Sequence, residues 1–370
     1  MRVCYFGAYR PDYPRNAILR RGLAAHDVRI VECNVSPLLP TVRKVVPLVR
    51  QFQAVKSQCD LILVAEFGQS LAPLAWALAR TSGKRLVVDM LLPLYESRVW
   101  DRRSVRPGSV GAARFYLTDY LAVHLADCVL ADTPPHRTKL ARDYRAPESK
   151  FAVVPLGADE SLFAPRPVEA RGDGRLLVQY YGTYVPAHGV DCMLRAIKLL
   201  EARTALVFEF IGRGQTYSMA RALAEDLRLS QVTFSDPVPL PELPDRVARA
   251  DISLGEFADV PTVRYGLANK VFQTLMMRRP LINADTPAIR SLFSDGEHLR
   301  LCRIANPQAL AEAIVALAED PALRARLGDG GHRHVLEHYT PQPLGGRLLA
   351  ELRRLMEPRA GDRQAATHGL

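Results

Sequence analysis

Two stretches of the chain end a β-branched run in a glycine turn and then open a helix. One is Tyr181-Gly182-Thr183-Tyr184-Val185-Pro186-Ala187-His188-Gly189, the other Phe210-Ile211-Gly212-Arg213-Gly214. Glycine at such a turn lets backbone approach a ligand closely, and the helix start that follows attracts anions. A third strand-to-helix loop runs from Gly7 to Asn16 and carries Arg10 and Arg15, which suit phosphate; the alternative there is a plain turn with solvent-facing arginines. None of the three is the GxGxxG of dinucleotide sites, which counts against nicotinamide chemistry. Lysine is scarce, seven in 370 residues, yet Lys270 stands inside the compact run Asn269-Lys270-Val271-Phe272-Gln273, shortly after Arg264. Among carboxylates, Asp89 closes a strand-like run, with Tyr95, Glu96 and Asp101 just beyond it. His332-Arg333-His334 has no cysteine or carboxylate companions and reads as helix surface rather than as a metal site.

Such loops act only if strands and helices bring them together. Short apolar runs at 3–6, 28–31, 61–65, 85–89, 128–131 and 151–155 read as strands, separated by helical patterns such as 16–25 and 71–80. After a Pro/Gly-rich stretch at 164–174 the alternation restarts, with strands expected at 176–181, 206–211, 232–235, 252–254, 280–283 and 299–302. Strands alternating with helices predict an α/β protein of two Rossmann-like, doubly wound domains, at 1–163 and 164–340. Open sheets of this kind bind ligands beyond the carboxyl ends of their strands, so the glycine turns fall where a cleft between two such sheets would lie.

Composition narrows the class. Apolar residues make up 48% and charged residues 24%, as in an ordinary globular chain. Six scattered cysteines without a CxxC pair read as buried free thiols of a cytoplasmic protein. No leader is expected at the amino end, and the longest apolar stretch, 71–79, falls well short of the ~20 residues of a membrane span. The net charge of +10 favours anionic partners. No zinc finger, RNP signature or basic run interleaved with aromatics is present, so nucleic acid is not expected as a partner. Residues 42–55 carry apolar residues at helical spacing among Arg43, Lys44, Arg50 and Lys56. That pattern suits either peripheral contact with an anionic membrane or packing onto a sheet, and Pro47 interrupts it.

Several motifs, taken in order, resemble one family. Val154-Pro155-Leu156-Gly157-Ala158-Asp159 with Leu162-Phe163-Ala164-Pro165 is similar to the interdomain signature of the GT-B retaining glycosyltransferases called family 4. Gly182 to Gly189 resembles the family's strand-end diphosphate loop, and Ile211-Gly212-Arg213-Gly214 its "VGxG" turn. Asn269-Lys270-Val271-Phe272-Gln273 with Arg279-Pro280-Leu281-Ile282 resembles "NK(L/V)(Y/F)E…(G)KPVI", and residues 307–339 its closing helices. The match covers most of the second half; the first half is more divergent. Two departures stand out. The Arg and Lys of the family's "GR…KG" loop are Thr183 and His188 here, and its paired glutamates fall on Tyr265 and Gln273.

The resemblance implies a GT-B fold whose chain end, a helix over 341–358, returns to the first domain. It implies transfer of a sugar from a nucleoside diphosphate sugar to an acceptor hydroxyl, with retention and with the leaving phosphate taking the proton. No cofactor is implied beyond the donor substrate. With no Asp-x-Asp in the chain, no metal-bound diphosphate is expected. Carried over by position, Asp89, Lys270 and His188 form the catalytic set, His188 as a diphosphate donor in place of the family's lysine and hence pH-sensitive. Gly7, Arg15, Asn16, Gly182, Thr183, Gly212, Val238, Arg264 and Gln273 fall on the donor side, and Tyr95, Glu96 and Asp101 on the acceptor side. A glycan, lipid-linked or small-molecule acceptor fits equally well. Two rivals stay open, a GT-B sugar-nucleotide epimerase and a non-catalytic sugar-nucleotide binder, the latter supported by the missing glutamates.

Overall fold

The computed structural model describes residues 1–167 and 172–357. Part of the stretch read as a linker, 168–171, and the tail from 358 onward lie outside the described residues. Six strands form each of two sheets. The first has the order β2-β1-β3-β4-β5-β6: β1 (Arg2–Gly7), β2 (Arg29–Asn34), β3 (Leu61–Val64), β4 (Arg85–Asp89), β5 (Cys128–Ala131) and β6 (Phe151–Val153). The second has the order β12-β11-β10-β7-β8-β9: β7 (Leu176–Tyr181), β8 (Leu206–Ile211), β9 (Val232–Ser235), β10 (Ile252–Leu254), β11 (Leu281–Asp285) and β12 (Arg300–Arg303).

Neighbouring strands run parallel in both sheets. A parallel sheet needs crossover helices, which cover both of its faces. Its strands therefore read as unbroken apolar runs rather than as alternation: the Leu-Ile-Leu-Val of β3 and the Cys-Val-Leu-Ala of β5 are buried throughout. Strand order reverses between β1 and β3 in the first sheet and between β7 and β10 in the second. Each reversal opens a crevice at the carboxyl ends of its strands, and a ligand in such a sheet is expected there.

The last described helix, Pro341–Met356, returns to the first sheet. Leu348, Leu349 and Leu352 enter the apolar cluster of Val3, Tyr5 and Leu19, and the helix lies directly on helix Pro14–Ala24. The two helices meet at Gly22 and Gly345. A Cβ on Gly345 would stand 2.1 Å from the Gly22 carbonyl carbon, so any side chain there would push the pair apart.

Candidate active site

Between the carboxyl edges of the two sheets lies a cleft of about 470 Å³. On the second-domain side it is lined by the residues just past β7 (Gly182, Thr183), β8 (Gly212) and β10 (Glu256), by Val238, and by the start of helix Asn269–Met276. Gly212 permits the close approach of two of these turns. Its φ is +125°, and a Cβ there would lie 2.0 Å from the Gly182 carbonyl oxygen. Helix Asn269–Met276 begins at Ala268 without a side-chain cap, so its first N–H groups open onto the cleft.

Lys270 dominates the charge here. It is only 6% exposed, and its Nζ has no hydrogen-bond partner among the described residues. The ammonium lies 4.6 Å from the centre of the Tyr180 ring. Burial lowers its pKa to about 8, with Glu256 pulling the other way. Burial in turn raises the Glu256 carboxyl, against Lys270. His188 completes the group: Nδ1 is 2.6 Å from the Tyr180 hydroxyl and Nε2 is 3.5 Å from Glu256. Burial, then Lys270 and Arg102, push His188 well below the usual histidine range. The expectation of a pH-sensitive His188 is therefore corrected, because burial beside Lys270 keeps the imidazole neutral, although a neutral ring can still donate a hydrogen bond. Gln273 also faces the cleft, and its Oε1 accepts from the Tyr181 hydroxyl at 3.3 Å.

The first-domain wall is built differently. Tyr13, Phe67, Leu91 and Leu92 make it largely apolar. Its acidic groups already have partners: Lys139 donates to Glu96, and the Thr262 hydroxyl donates to Asp101. Burial raises Asp101 to about 7. Asp132, just past β5, stands beside His136, also on the cleft.

Of the residues singled out in the sequence, the structure brings Gly182, Thr183, His188, Gly212, Val238, Lys270, Gln273, Glu96 and Asp101 to the cleft. It does not bring Gly7, Arg15, Asn16, Asp89, Tyr95 or Arg264 to its lining. Arg15 and Asp89 satisfy each other. The guanidinium donates to both Asp89 oxygens at 2.9 and 3.1 Å and to the carbonyls of Val154 and Pro155 at 2.6 and 2.8 Å. With those donors engaged, Arg15 is not free to bind phosphate and Asp89 is not free to meet a sugar. Asn16 accepts from the Tyr5 hydroxyl, and Arg264 is held at the surface by Asp259. Gly7 ends β1 against Ala65, while the Tyr95 amide is bound by Asp119 and its ring packs on Tyr116.

Three cleft residues escaped the sequence reading: Glu256, Asp132 and His136. Each had a signal. Glu256 lies two residues past the fourth strand of the second half, at the reversal of strand order. Asp132 and His136 are four apart across a strand-to-helix junction, with Thr133 between them capping the helix.

Comparison with known proteins is consistent with this geometry. Residues 175–320 match the model of the family described as Glycosyl transferases group 1. Among curated proteins, the D-inositol 3-phosphate glycosyltransferase of Thermobispora bispora is 26% identical over 216 residues, covering 54% of this chain and 49% of that protein. The MMP alpha-(1->4)-mannosyltransferase of Mycolicibacterium hassiacum is 24% identical over 178 residues, or 48% and 42% of the two chains. The chain thus spans about half the length of the curated relatives it matches. Similar solved structures include HepE of Anabaena with UDP and glucose (TM-score 0.70, 14% identity, 95% of this chain and 99% of that one). Sucrose-phosphate synthase of Thermosynechococcus elongatus is another, with TM-score 0.74, 16% identity and coverage of 96% and 99%. At such identities the likeness concerns the fold, which is GT-B: two parallel α/β sheets facing across a cleft.

Proposed function

From residues 175–320, which carry the match to the group 1 glycosyl transferases, we propose that the chain transfers a glycosyl group from a nucleoside diphosphate sugar to an acceptor hydroxyl. The observation that carries the reading is Lys270, a buried ammonium without a hydrogen-bond partner among the described residues, at the helix start that faces the cleft. An unpaired buried cation is costly, and an anion relieves that cost. As the anomeric C–O bond breaks, the leaving diphosphate gains negative charge. Lys270, the N–H groups at the start of its helix and the Thr183 hydroxyl are the groups to stabilise it. Gly182 and Gly212 let the diphosphate approach the backbone, Val238 walls the nucleobase, and Gln273 meets the ribose. Glu256, beside Lys270 and His188, is positioned to accept from hydroxyls of the transferred sugar.

The charge work rests on Lys270 rather than on a metal ion, and the reading includes retention at the anomeric carbon. The acceptor enters from the first-domain side, past Tyr13 and Phe67. A lipid-linked acceptor is favoured by the outer surface of that domain. Leu38 is 92% exposed and Val42 83%, beside Arg43, Lys44 and Arg50, and residues 36–59 contain no Asp or Glu. An apolar and cationic surface of this kind suits peripheral contact with the anionic cytoplasmic face of a membrane. Among the described residues no helix is long and apolar enough to cross one.

Titration with UDP-, GDP- and ADP-sugars, followed by an assay for nucleotide release, tests the reading. Saturable binding of one donor with nucleotide release supports transfer. Interconversion of the donor sugar without release points to the epimerase. Binding with neither reaction points to a non-catalytic binder.

A further inference from the structure

Arg102 lines the cleft from the first-domain side, and the donor reading leaves it unused. It follows the turns Leu94–Glu96 and Ser97–Asp101 beyond β4, in a loop closed on itself. The Arg102 amide donates to the Ser97 carbonyl at 2.9 Å, and the amides of Ser104 and Val105 donate to the Arg98 carbonyl at 2.9 and 3.2 Å. The second domain fixes the place of this loop, because Gln215 Nε2 donates to the Arg102 carbonyl at 2.6 Å. Backbone bonds thus hold the residue, while its guanidinium makes no hydrogen bond or ion pair among the described residues. The adjacent Asp101 is taken by the Thr262 hydroxyl, and burial, which raises its carboxyl to about 7, makes it a weak counter-ion. Arg98, Arg103 and Arg106 are exposed on the same loop, likewise without a carboxylate partner among the described residues. Residues 102–118 contain no Asp or Glu.

The charge of Arg102 is felt at Tyr13, past which the acceptor enters, and at His188, but not at Lys270. Arg102 therefore stands apart from the ammonium that serves the leaving diphosphate, on the opposite wall. A guanidinium with all its donors open fits two phosphate oxygens at once, which a lone ammonium does not. We propose that Arg102 binds a phosphate group carried by the acceptor, and that Arg98, Arg103 and Arg106 supply a positive field that draws such an acceptor to the cleft; the proposal rests on the glycosyl-transfer reading above. This phosphate takes no part in the bond changes. It holds the acceptor so that its hydroxyl meets the anomeric carbon. Acceptors of this chemistry come from two sources, a lipid diphosphate and a soluble sugar phosphate.

Calorimetry isolates the acceptor site once the donor site is filled. The protein is saturated with whichever of UDP, GDP and ADP it binds. It is then titrated with farnesyl diphosphate, with glucose 6-phosphate and, as a neutral amphiphile, with octyl glucoside. A phosphate-bearing probe is expected to bind, and octyl glucoside to bind at least about tenfold more weakly. Arg102→Met should weaken the phosphate probe at least about tenfold while affinity for the nucleoside diphosphate stays within about twofold. Thermal unfolding of this variant should match wild type, because the side chain makes no hydrogen bond among the described residues. Binding of farnesyl diphosphate alone supports the proposal with a lipid source. Binding of glucose 6-phosphate, alone or equally well, supports it with recognition of the phosphate group itself. Three results overturn it: neither phosphate probe binds the loaded wild type, Arg102→Met binds the probe as tightly as wild type, or octyl glucoside binds as tightly as the phosphate probes. A tenfold loss of nucleoside diphosphate affinity in Arg102→Met also overturns it and hands the arginine to the donor. A wild type that binds none of the three nucleoside diphosphates overturns the transfer reading, and the proposal with it.

Discussion

Arg15 and Lys270 are both cations buried near the carboxyl edge of a parallel sheet, and they are used in opposite ways. Arg15 is 1% exposed, and its guanidinium makes four hydrogen bonds, two to Asp89 and two to backbone carbonyls. Lys270 Nζ makes none among the described residues. The first is a structural joint between β4 and the segment after β6. The second has the Glu256 carboxylate near it but makes no hydrogen bond among the described residues, and a ligand can supply one. Depth, sign and strand-end position are shared, so what separates structure from function here is whether the hydrogen-bonding capacity is already spent.

Breaking the joint should have the largest effect. Arg15→Met leaves Asp89 buried without its partner and is expected to cost about 3–5 kcal/mol of folding stability, read from urea unfolding. Replacing both residues with apolar side chains of similar volume should cost markedly less than the single change. If Arg15→Met instead unfolds like wild type but loses donor binding, the contrast drawn here collapses.

Lys270→Met should do the reverse. The free protein loses a buried ammonium that makes no hydrogen bond among the described residues, and Glu256 beside it, whose carboxyl burial already raises, can take up a proton, so folding is expected to be about as stable as in wild type. Donor binding should weaken by about 1.5–3 kcal/mol through loss of a charge-assisted contact. Calorimetric titration of the donor, set beside thermal unfolding of the free variant, separates the two terms. Unchanged donor affinity would remove Lys270 from the site.

The same contrast explains what was readable from sequence. Twelve strands were legible because parallel strands buried on both faces read as apolar runs such as residues 61–64 and 128–131, and pairing in the sheets bears them out. Lys270 was legible as well, because a lone lysine in a compact motif stands out in an arginine-rich chain. The fate of Arg15 was not legible. Its partner lies 74 residues away, and nothing local distinguishes a guanidinium aimed at Asp89 from one aimed at a phosphate. His188 escaped for a related reason: burial and a neighbouring ammonium, neither visible in its own segment, keep it neutral. Glu256 became prominent only once strand order was known, since the reversal between β7 and β10 is a property of the sheet rather than of either strand.

Lys270 should also make donor binding depend on pH. With its pKa lowered to about 8 in the free protein, Lys270 is charged below that value and neutral above it. Donor dissociation constants should be flat from pH 6 to 7.5 and then rise, by up to about tenfold per unit, above pH 8. The stability term runs the other way. The unfolded chain holds this proton up to about pH 10.4, so this group's contribution to stability improves as pH rises from 8 towards that value. A donor affinity that stays flat through pH 9.5 would mean that Lys270 keeps its charge or makes no contact with the donor. Lys270→Met should abolish whatever dependence is seen.

The smallest expected effect belongs to Gln273, three residues further along the same helix. Its side-chain oxygen already accepts from the Tyr181 hydroxyl, and Tyr181 in turn lies 3.2 Å from Thr274 Oγ1. The amide therefore has one oxygen, shared, and an NH2 to offer a ribose, whereas a glutamate would offer a second oxygen. If Gln273 meets the ribose, Gln273→Leu leaves a polar partner unpaired and should weaken donor binding by about 1 kcal/mol. Gln273→Glu keeps the Tyr181 contact and restores a stronger acceptor, so donor affinity should hold or improve. A carboxylate there also sits one helical turn from Lys270, and attraction between the two sets a limit on that gain. Donor titrations of wild type and both variants decide the point. Equal affinity in all three, with stability lost only in Gln273→Leu, would show that Gln273 is a packing residue whose amide serves Tyr181 alone.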